Sequence, residues 1–332
     1  MESSRERQKM KAVLGIEGTA HTFGAGITRG TEILANERRM FKPLEGGLVP
    51  REVAQHHIEH AEETVHAAIE KAGIKKEEIG LVAFSMGPGL GPCLRVSAVA
   101  ARSIAGALKV PILGVNHCVA HVEIAKLSSG YNDPVIVYLS GGSTQILAFE
   151  NARYRIFGET LDIPIGNCLD VFAREAKLGN PGGPVVEGLA RKSDNLIELP
   201  YVVKGMDFSF SGILTSAMRK IGTERLEDLC YSLQEYTFAM LTEATERAIA
   251  HTGKKECLLT GGVAANSRLQ EMMRTMCEDR GVGFTAVPKE YAGDNGAMIA
   301  YLGGLMQKAG VKQKSNQVNQ RWRTDEVEIE WH

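Results

Sequence analysis

"DPVIVYLSGGSTQILAFE", Asp133 to Glu150, runs from an apolar strand through a glycine-rich turn closed by Thr144 into a returning strand. An earlier stretch, "KAVLGIEGTAHTFGAGIT" from Lys11 to Thr28, has the same shape: a buried strand, a Gly-Thr turn and a hairpin partner. A unit that recurs within one chain points to an internally duplicated fold.

Working outward, the first copy continues with "REVAQHHIEHAEETVHAAIEKAG", whose apolar residues fall at helical spacing and stop at Gly73. The strand "IGLVAFS", the turn "MGPGLGP", the helix "LRVSAVAARSIAGALK", the strand "VPILGV" and a helix opening at His117 follow. The second copy resumes with a long helix from Leu226, the strand "ECLLT", the turn and helix "GGVAANSRLQEMMRTMC", the strand "VGFTAVP" and the helix "DNGAMIAYLGGLM". Alternating strands and helices imply an α/β fold with parallel pairs. The expected organisation is two duplicated α/β lobes around a nucleotide cleft. Residues 11–127 form the first lobe and 128–310 the second, with an insertion at about 151–221, and 311–332 make an extended polar tail.

The chain has 332 residues, 44% hydrophobic and 23% charged, which fits a soluble protein of two domains. A net charge of -2 gives no general nucleic-acid signature, so any RNA contact is local or shared with partners. The six cysteines contain no CxxC, which argues against a zinc ribbon and a disulfide framework and fits a reducing cytoplasm. Met1 to Lys11 is charged without an apolar core, and no long apolar run occurs, so neither secretion nor a membrane span is expected.

In "GVNHCVAHVEIA", His117 and His121 stand at i and i+4, on one helix face, after a strand. The pair could hold a metal ion, although the HExxH protease pattern would need Glu where Cys118 stands. The duplication supplies a third candidate ligand. The interval from Gly87 to His117 nearly matches that from Gly261 to Asp294, each ending at a helix start after a corresponding strand. His56 and His60 share the i, i+4 spacing but sit inside a helix beside Glu59, Glu62 and Glu63, and read as a solvated face. "YLSGGST" and "GGVAANS" expose backbone N–H groups that could cradle phosphate, with Asn266 able to reach a nucleotide, or they are tight turns only. No GxxxxGK[ST] and no GxGxxG occurs, which disfavours P-loop and Rossmann binding. Asp170 and Glu187 could accept from ribose hydroxyls or face solvent. In "GIEGTAHTFG", Glu17, Thr19 and His21 could line the cleft or hold the turn.

Taken in order, "GIEGTAHT", "FSMGPGLGP", "GVNHCVAHVEI", "YLSGGSTQ", "GETLDIPIGNCLD", "PGGPVVE", "MDFSFSGIL", "GGVAAN" and "GDNGAMIA" resemble one family from about Lys11 to the end of the chain. This is the family of tRNA threonylcarbamoyladenosine synthesis proteins, the TsaD type with its archaeal and eukaryotic counterparts in the KEOPS complex. The resemblance implies an actin-like ATPase (ASKHA) fold and transfer of threonylcarbamoyl from threonylcarbamoyl-adenylate to the adenosine beside the anticodon, in tRNAs reading codons that begin with A. By the same resemblance His117, His121 and Asp294 match metal ligands, with Tyr138 as a weak one. Tyr138, Leu139, Ser140, Gly141, Gly142, Asp170, Gly183, Glu187 and Asn266 match positions that hold the adenylate, or ATP or AMP. One divalent ion is implied, iron first and zinc or manganese as alternatives. Partners implied are tRNA, a Bud-type small kinase, a Pcc-type dimerising subunit and a Cgi-type subunit. Ser143, where Asn or His is common, and the two valines before Glu187 depart from the pattern. No general base is named by the sequence.

Three other readings stand beside this one: a metalloprotease, which the missing Glu at 118 opposes; an ATPase or sugar kinase, which usually carries Asp at position 17; and an ATP-binding scaffold subunit of a kinase-containing complex. Arg38, Arg39 and Lys42 are candidates for a tRNA surface, or a solvated loop.

Overall fold

The computed structural model describes residues 10–43, 47–179, 181–313 and 315–332. The charged run expected at residues 1–9 lies outside them. The chain divides into two compact units. Unit 1 comprises Met1–Leu127, Asn151–Tyr154 and Asp294–His332; unit 2 comprises Ser128–Glu150 and Arg155–Gly293.

In unit 1, strands β1 (Ala12–Glu17), β2 (Thr22–Arg29), β3 (Glu32–Met40), β4 (Ile79–Gly87) and β5 (Ile112–Asn116) form a sheet of order β3-β2-β1-β4-β5. β1 pairs antiparallel with β2 and parallel with β4. Every residue of β1 is buried, as expected of a central strand covered on both faces. Side chains alternate between those faces. Leu14, Ile16, Phe23, Ala25 and Ile27 join a core with Val65 and Ala68 of α1 (Pro50–Ala72) and Ala98 and Ala101 of α2 (Gly91–Leu108). The alternate positions Gly15, Gly24 and Gly26 meet α10 (Gly296–Lys308) on the other face. The contact is backbone on backbone: a Cβ on Gly26 would stand 2.1 Å from the Ala297 nitrogen, and one on Gly15 2.2 Å from the Ala300 nitrogen.

That packing corrects the expected boundary at 310. The glycine rows of β1 and β2 admit α10 only where "NGAMIA" supplies small residues, so the helix belongs with the first sheet. The tail follows it. Rather than extended and polar, it makes a short 3-10 turn at Thr324–Glu326 and buries Val327 and Ile329.

Unit 2 repeats the topology. Strands β6 (Val135–Leu139), β7 (Thr144–Glu150), β8 (Arg153–Glu159), β11 (Glu256–Thr260) and β12 (Gly283–Ala286) form a sheet of order β12-β11-β6-β7-β8, the counterpart of β5-β4-β1-β2-β3. β8 completes this sheet, so the inserted segment begins after Glu159 and not at 151. Beyond it come α4 (Ile165–Glu175), α5 (Gly182–Ala190), the short strands β9 (Val203–Lys204) and β10 (Asp207–Phe208), α6 (Ser211–Arg219) and α7 (Leu226–Thr252). α8 (Ser267–Asp279) follows β11 and α9 (Lys289–Ala292) follows β12. Among the described residues, no helix is long and apolar enough to cross a membrane.

Candidate metal centre and nucleotide cradle

In unit 1, β5 ends at Asn116 and α3 (His117–Ser129) begins at the next residue. Asn116 caps that helix, its Oδ1 accepting from the Val119 N–H at 3.1 Å. The cap fixes the first turn, and with it His117. On the other chain segment, the Asn295 Oδ1 accepts from Met298 N–H at 3.0 Å and starts α10, while the Asn36 Oδ1 accepts from Ala297 N–H at 3.3 Å. Asp294 is thereby held by a helix start that is itself seated on the sheet.

The three residues converge. Asp294 Oδ1 lies 3.4 Å from His117 Nε2 and 3.2 Å from His121 Nε2, and the two imidazoles meet edge to face with centroids 4.7 Å apart. One ligand atom from each residue lies within 4.8 Å of the others. Donors sharing one tetrahedral ion at about 2.1 Å stand about 3.4 Å apart, so the spacing fits a divalent cation. Two imidazoles and a carboxylate suit iron, zinc or manganese.

The electrostatics couple the three residues to one another and to Glu17. Burial works against a cationic His117, but the Glu17 and Asp294 carboxylates outweigh it and hold its pKa well above the ordinary histidine value. For His121, burial prevails and, with the neighbouring His117, lowers its pKa. Burial opposes the Asp294 charge too, yet His117 and His121 keep its carboxyl well below the usual range.

The second histidine pair behaves differently. His56 and His60 stack with centroids 4.2 Å apart, and the His60 Nδ1 meets the His56 carbonyl at 2.8 Å. Neither belongs to a metal-competent group among the described residues. Arg39 is paired with Glu63 at 2.6 Å, whereas Arg38 and Lys42 are exposed.

In unit 2, Tyr138 and Leu139 are buried at the end of β6, followed by the turn Ser140–Ser143. The Ser140 Oγ accepts from Gly142 N–H at 3.2 Å and Ser143 N–H at 2.9 Å. The Gly141 N–H makes no protein hydrogen bond among the described residues. A Cβ on Gly141, Gly142 or Gly262 would meet nothing within 4 Å, and one on Gly183 only Leu169 at 4.0 Å. None of the four has a left-handed φ. Neither packing nor backbone conformation requires these glycines, so the open space beside them is free for a ligand.

Asp170 and Glu187 are engaged at helix starts. The Asp170 Oδ1 accepts from Gly182 N–H at 2.8 Å, at the beginning of α5. Glu187 Oε1 accepts from Ser267 N–H at 3.1 Å, the Ser267 hydroxyl at 2.6 Å and Arg191 at 2.7 Å. Although burial opposes it, these bonds lower the Glu187 pKa. Asn266 is the N-cap of α8: its Oδ1 accepts from Arg268 and Leu269 N–H, and its Nδ2 donates to Gln234 at 3.0 Å. Its side-chain oxygen is thus spent on the helix. Sequence reasoning passed over Ser267 and Gln234; "NS" before a helical run is a capping signal in which Asn266 is the cap and Ser267 the first helical residue.

The duplicated sheets and the glycine turns define an actin-like ATPase fold, here with a candidate metal centre in unit 1. Solved structures agree on the fold. HypF of Thermococcus kodakarensis is 16% identical with a TM-score of 0.66 over 93% of this chain and 50% of that one. The activator of 2-hydroxyisocaproyl-CoA dehydratase from Clostridium difficile is 12% identical with a TM-score of 0.54, over 92% and 99%. The chain itself belongs to the TsaD family, tRNA N6-adenosine threonylcarbamoyltransferase, whose family model matches residues 31–301. It is 56% identical to the tRNA N6-adenosine threonylcarbamoyltransferase of Thermococcus kodakarensis, over 96% of this chain and 99% of the relative. It is also 55% identical to the probable bifunctional tRNA threonylcarbamoyladenosine biosynthesis protein of Methanocaldococcus jannaschii, over 96% of this chain. Of that longer relative the match spans 60%.

Proposed function

We propose that the chain transfers threonylcarbamoyl from threonylcarbamoyl-adenylate to N6 of the adenosine beside the anticodon, in tRNAs reading codons that begin with A. Membership of the family supports the reaction class. The observation that carries the site assignment is the convergence of His117, His121 and Asp294. In the reaction N6 attacks the carbamoyl carbon, a C–N bond forms, and the bond from that carbon to the phosphate oxygen breaks. AMP departs with the electron pair and the amine loses a proton. A divalent ion held by His117, His121 and Asp294, iron before zinc or manganese, would supply Lewis-acid polarisation of an oxygen of the acyl phosphate.

The chain's own groups do the rest. Gly141 N–H and the first turn of α5 at Gly183, whose N–H groups lack partners within the helix, donate to the phosphate. Asp170 and Glu187 each have a carboxylate oxygen beyond the one already engaged, and these accept from ribose hydroxyls. Tyr138, Leu139 and Ser140 set the wall behind the turn, and Asn266 holds α8 in place. Because AMP is a good leaving group, an activated water is not needed; Cys118, 2% exposed at the protease glutamate position, fits that chemistry. We place the activity in the cytoplasm, with KEOPS-type partners of the Bud, Pcc and Cgi kinds.

The test is incubation of the protein with tRNA, an adenylate-forming enzyme, ATP, threonine and bicarbonate, with and without partner subunits, followed by nucleoside analysis. Wild-type protein is expected to yield threonylcarbamoyladenosine and His117→Ala to yield none. Modification at the normal rate by a metal-free His117→Ala protein would sink the proposal.

A further inference from the structure

The turn after β1 has the shape of a phosphate loop, but the polar groups of Gly18 and Thr19 are taken up by the protein. Gly18 N–H donates to the Ser85 Oγ at 3.1 Å, and the Ser97 hydroxyl donates to the Gly18 carbonyl at 3.4 Å. The Thr19 carbonyl accepts from Leu90 N–H at 2.7 Å, and the Ala20 carbonyl meets His57 Nε2 at 2.9 Å. Thr19 N–H and the Thr19 hydroxyl both point at Glu17 Oε1, each at 2.7 Å, and the Thr19 Oγ1 also lies 3.3 Å from His117 Nδ1. A carboxylate of the chain itself fills the place an anionic ligand would take. Its second oxygen, Oε2, lies 3.0 Å from His117 Nδ1. Glu17 is fully buried.

We infer that Glu17 is a positioning residue: its carboxylate, anchored by Thr19, holds the His117 ring with the proton on Nδ1 and the Nε2 lone pair turned toward His121 and Asp294. The chemistry is specific. An imidazole binds a cation through one nitrogen only when the other carries the proton, and a carboxylate, which can only accept, enforces that tautomer. The first glycine turn of the duplicated fold is therefore a histidine holder rather than a phosphate site. Glu in place of the shorter Asp lets one side chain reach Thr19 and His117 together.

Glu17→Gln is the discriminating substitution because it keeps size and shape. Its amide oxygen can accept from Thr19 or from His117, but not from both. If Thr19 takes the oxygen, the amide NH2 faces His117 Nδ1 and favours an accepting Nδ1 with the proton on Nε2, leaving only the longer 3.3 Å contact to the Thr19 hydroxyl to hold a proton on Nδ1. Loss of such a carboxylate partner weakens metal binding about 10–100-fold. The probe is Co²⁺, titrated into metal-free protein against a chelator, with the histidine tautomer read from ¹⁵N NMR of the metal-free form at alkaline pH, where the ring carries a single proton.

Glu17→Gln is expected to weaken Co²⁺ binding by at least tenfold, to shift the His117 tautomer, and to melt near wild type. Glu17→Asp, which keeps the carboxylate, is expected to retain the tautomer and to bind between the two. Wild-type affinity in Glu17→Gln, or an unchanged tautomer, overturns the inference. Should Glu17→Gln fail to fold, Thr19→Val removes one anchor at similar volume: several-fold weaker binding supports the inference and wild-type binding overturns it. The inference rests on the metal-centre reading. Wild-type protein that binds no Co²⁺ would defeat both, whereas binding indifferent to position 17 would defeat this inference alone.

Discussion

Gly26→Ala probes the link from strand glycine to metal ligand. The added methyl would stand 2.1 Å from Ala297 N, 2.3 Å from the Gly296 carbonyl carbon and 2.5 Å from Ala297 Cα. Nonbonded carbon contacts are comfortable near 3.5 Å, so α10 must retreat by about 1 Å or more. It has no side chain to rotate aside, since both partners are backbone. Overpacking costs about 1–3 kcal/mol, and rigid backbone on both sides puts this site at the upper end. At about 2–4 °C per kcal/mol the melting temperature should fall by roughly 5–10 °C. Asp294 immediately precedes the cap of α10, so the same retreat displaces a ligand; misplacement by about 1 Å costs on the order of 100-fold in activity. The assays are thermal unfolding of the metal-free protein and Co²⁺ affinity, measured on the same preparation. Gly106→Ala is the control: that helical glycine has nothing within 4 Å of an added Cβ, and the change should stabilise by about 0.5–1 kcal/mol. A Gly26→Ala protein that melts at or above wild type and binds metal normally would refute the reasoning.

Gly142→Ala should do the opposite of Gly26→Ala. Its added methyl meets only open space, so melting should stay within about 1–2 °C of wild type, while AMP binding by calorimetry should weaken at least tenfold; unimpaired AMP binding would leave the turn with a purely structural role. Metal binding should also release a proton. The raised His117 pKa means that a proton competes with the metal for Nε2, and ligation there displaces it. Calorimetry in two buffers of different ionisation enthalpy counts it, and affinity should climb as pH rises toward that raised pKa. In the metal-free protein the stability from charged His117 is fully present below about pH 6.5 and lost as pH rises through its folded pKa, whereas that from Asp294 is present above about pH 3.9 and lost as pH falls through its depressed pKa. Zero proton release would contradict the raised His117 pKa.

Much of this was legible in the order of residues. The repeated strand-turn-strand units mark both sheets because buried strands carry apolar runs and their turns need small residues. The histidine pair is visible because i, i+4 spacing is a property of any helix. Asp294 needed the duplication as a ruler, since nothing local distinguishes it from a solvated acid. What stayed hidden are contacts set by tertiary structure. Gly15 and Gly26 look like ordinary strand glycines until α10 lies on them. Asn266 was expected to face a nucleotide, and the local signal for its capping role was outweighed by the glycines before it. Periodicity placed α10 with the elements preceding it in sequence, and only the fit of small residue to small residue assigns it to the first sheet.

The two turns show how one duplicated unit takes up two chemistries. After β6 the turn carries Ser140, whose hydroxyl accepts from two amides and leaves the Gly141 N–H for a ligand. After β1 the corresponding strand ends in Glu17, whose longer chain folds back and satisfies Thr19 internally. A carboxylate already occupies that turn, so a phosphate entering it would meet repulsion and find the Thr19 donors engaged. The carboxylate that excludes phosphate is the one that reaches His117. The engagement of the Thr19 donors and the contact with His117 thus follow from a single side chain, Glu17.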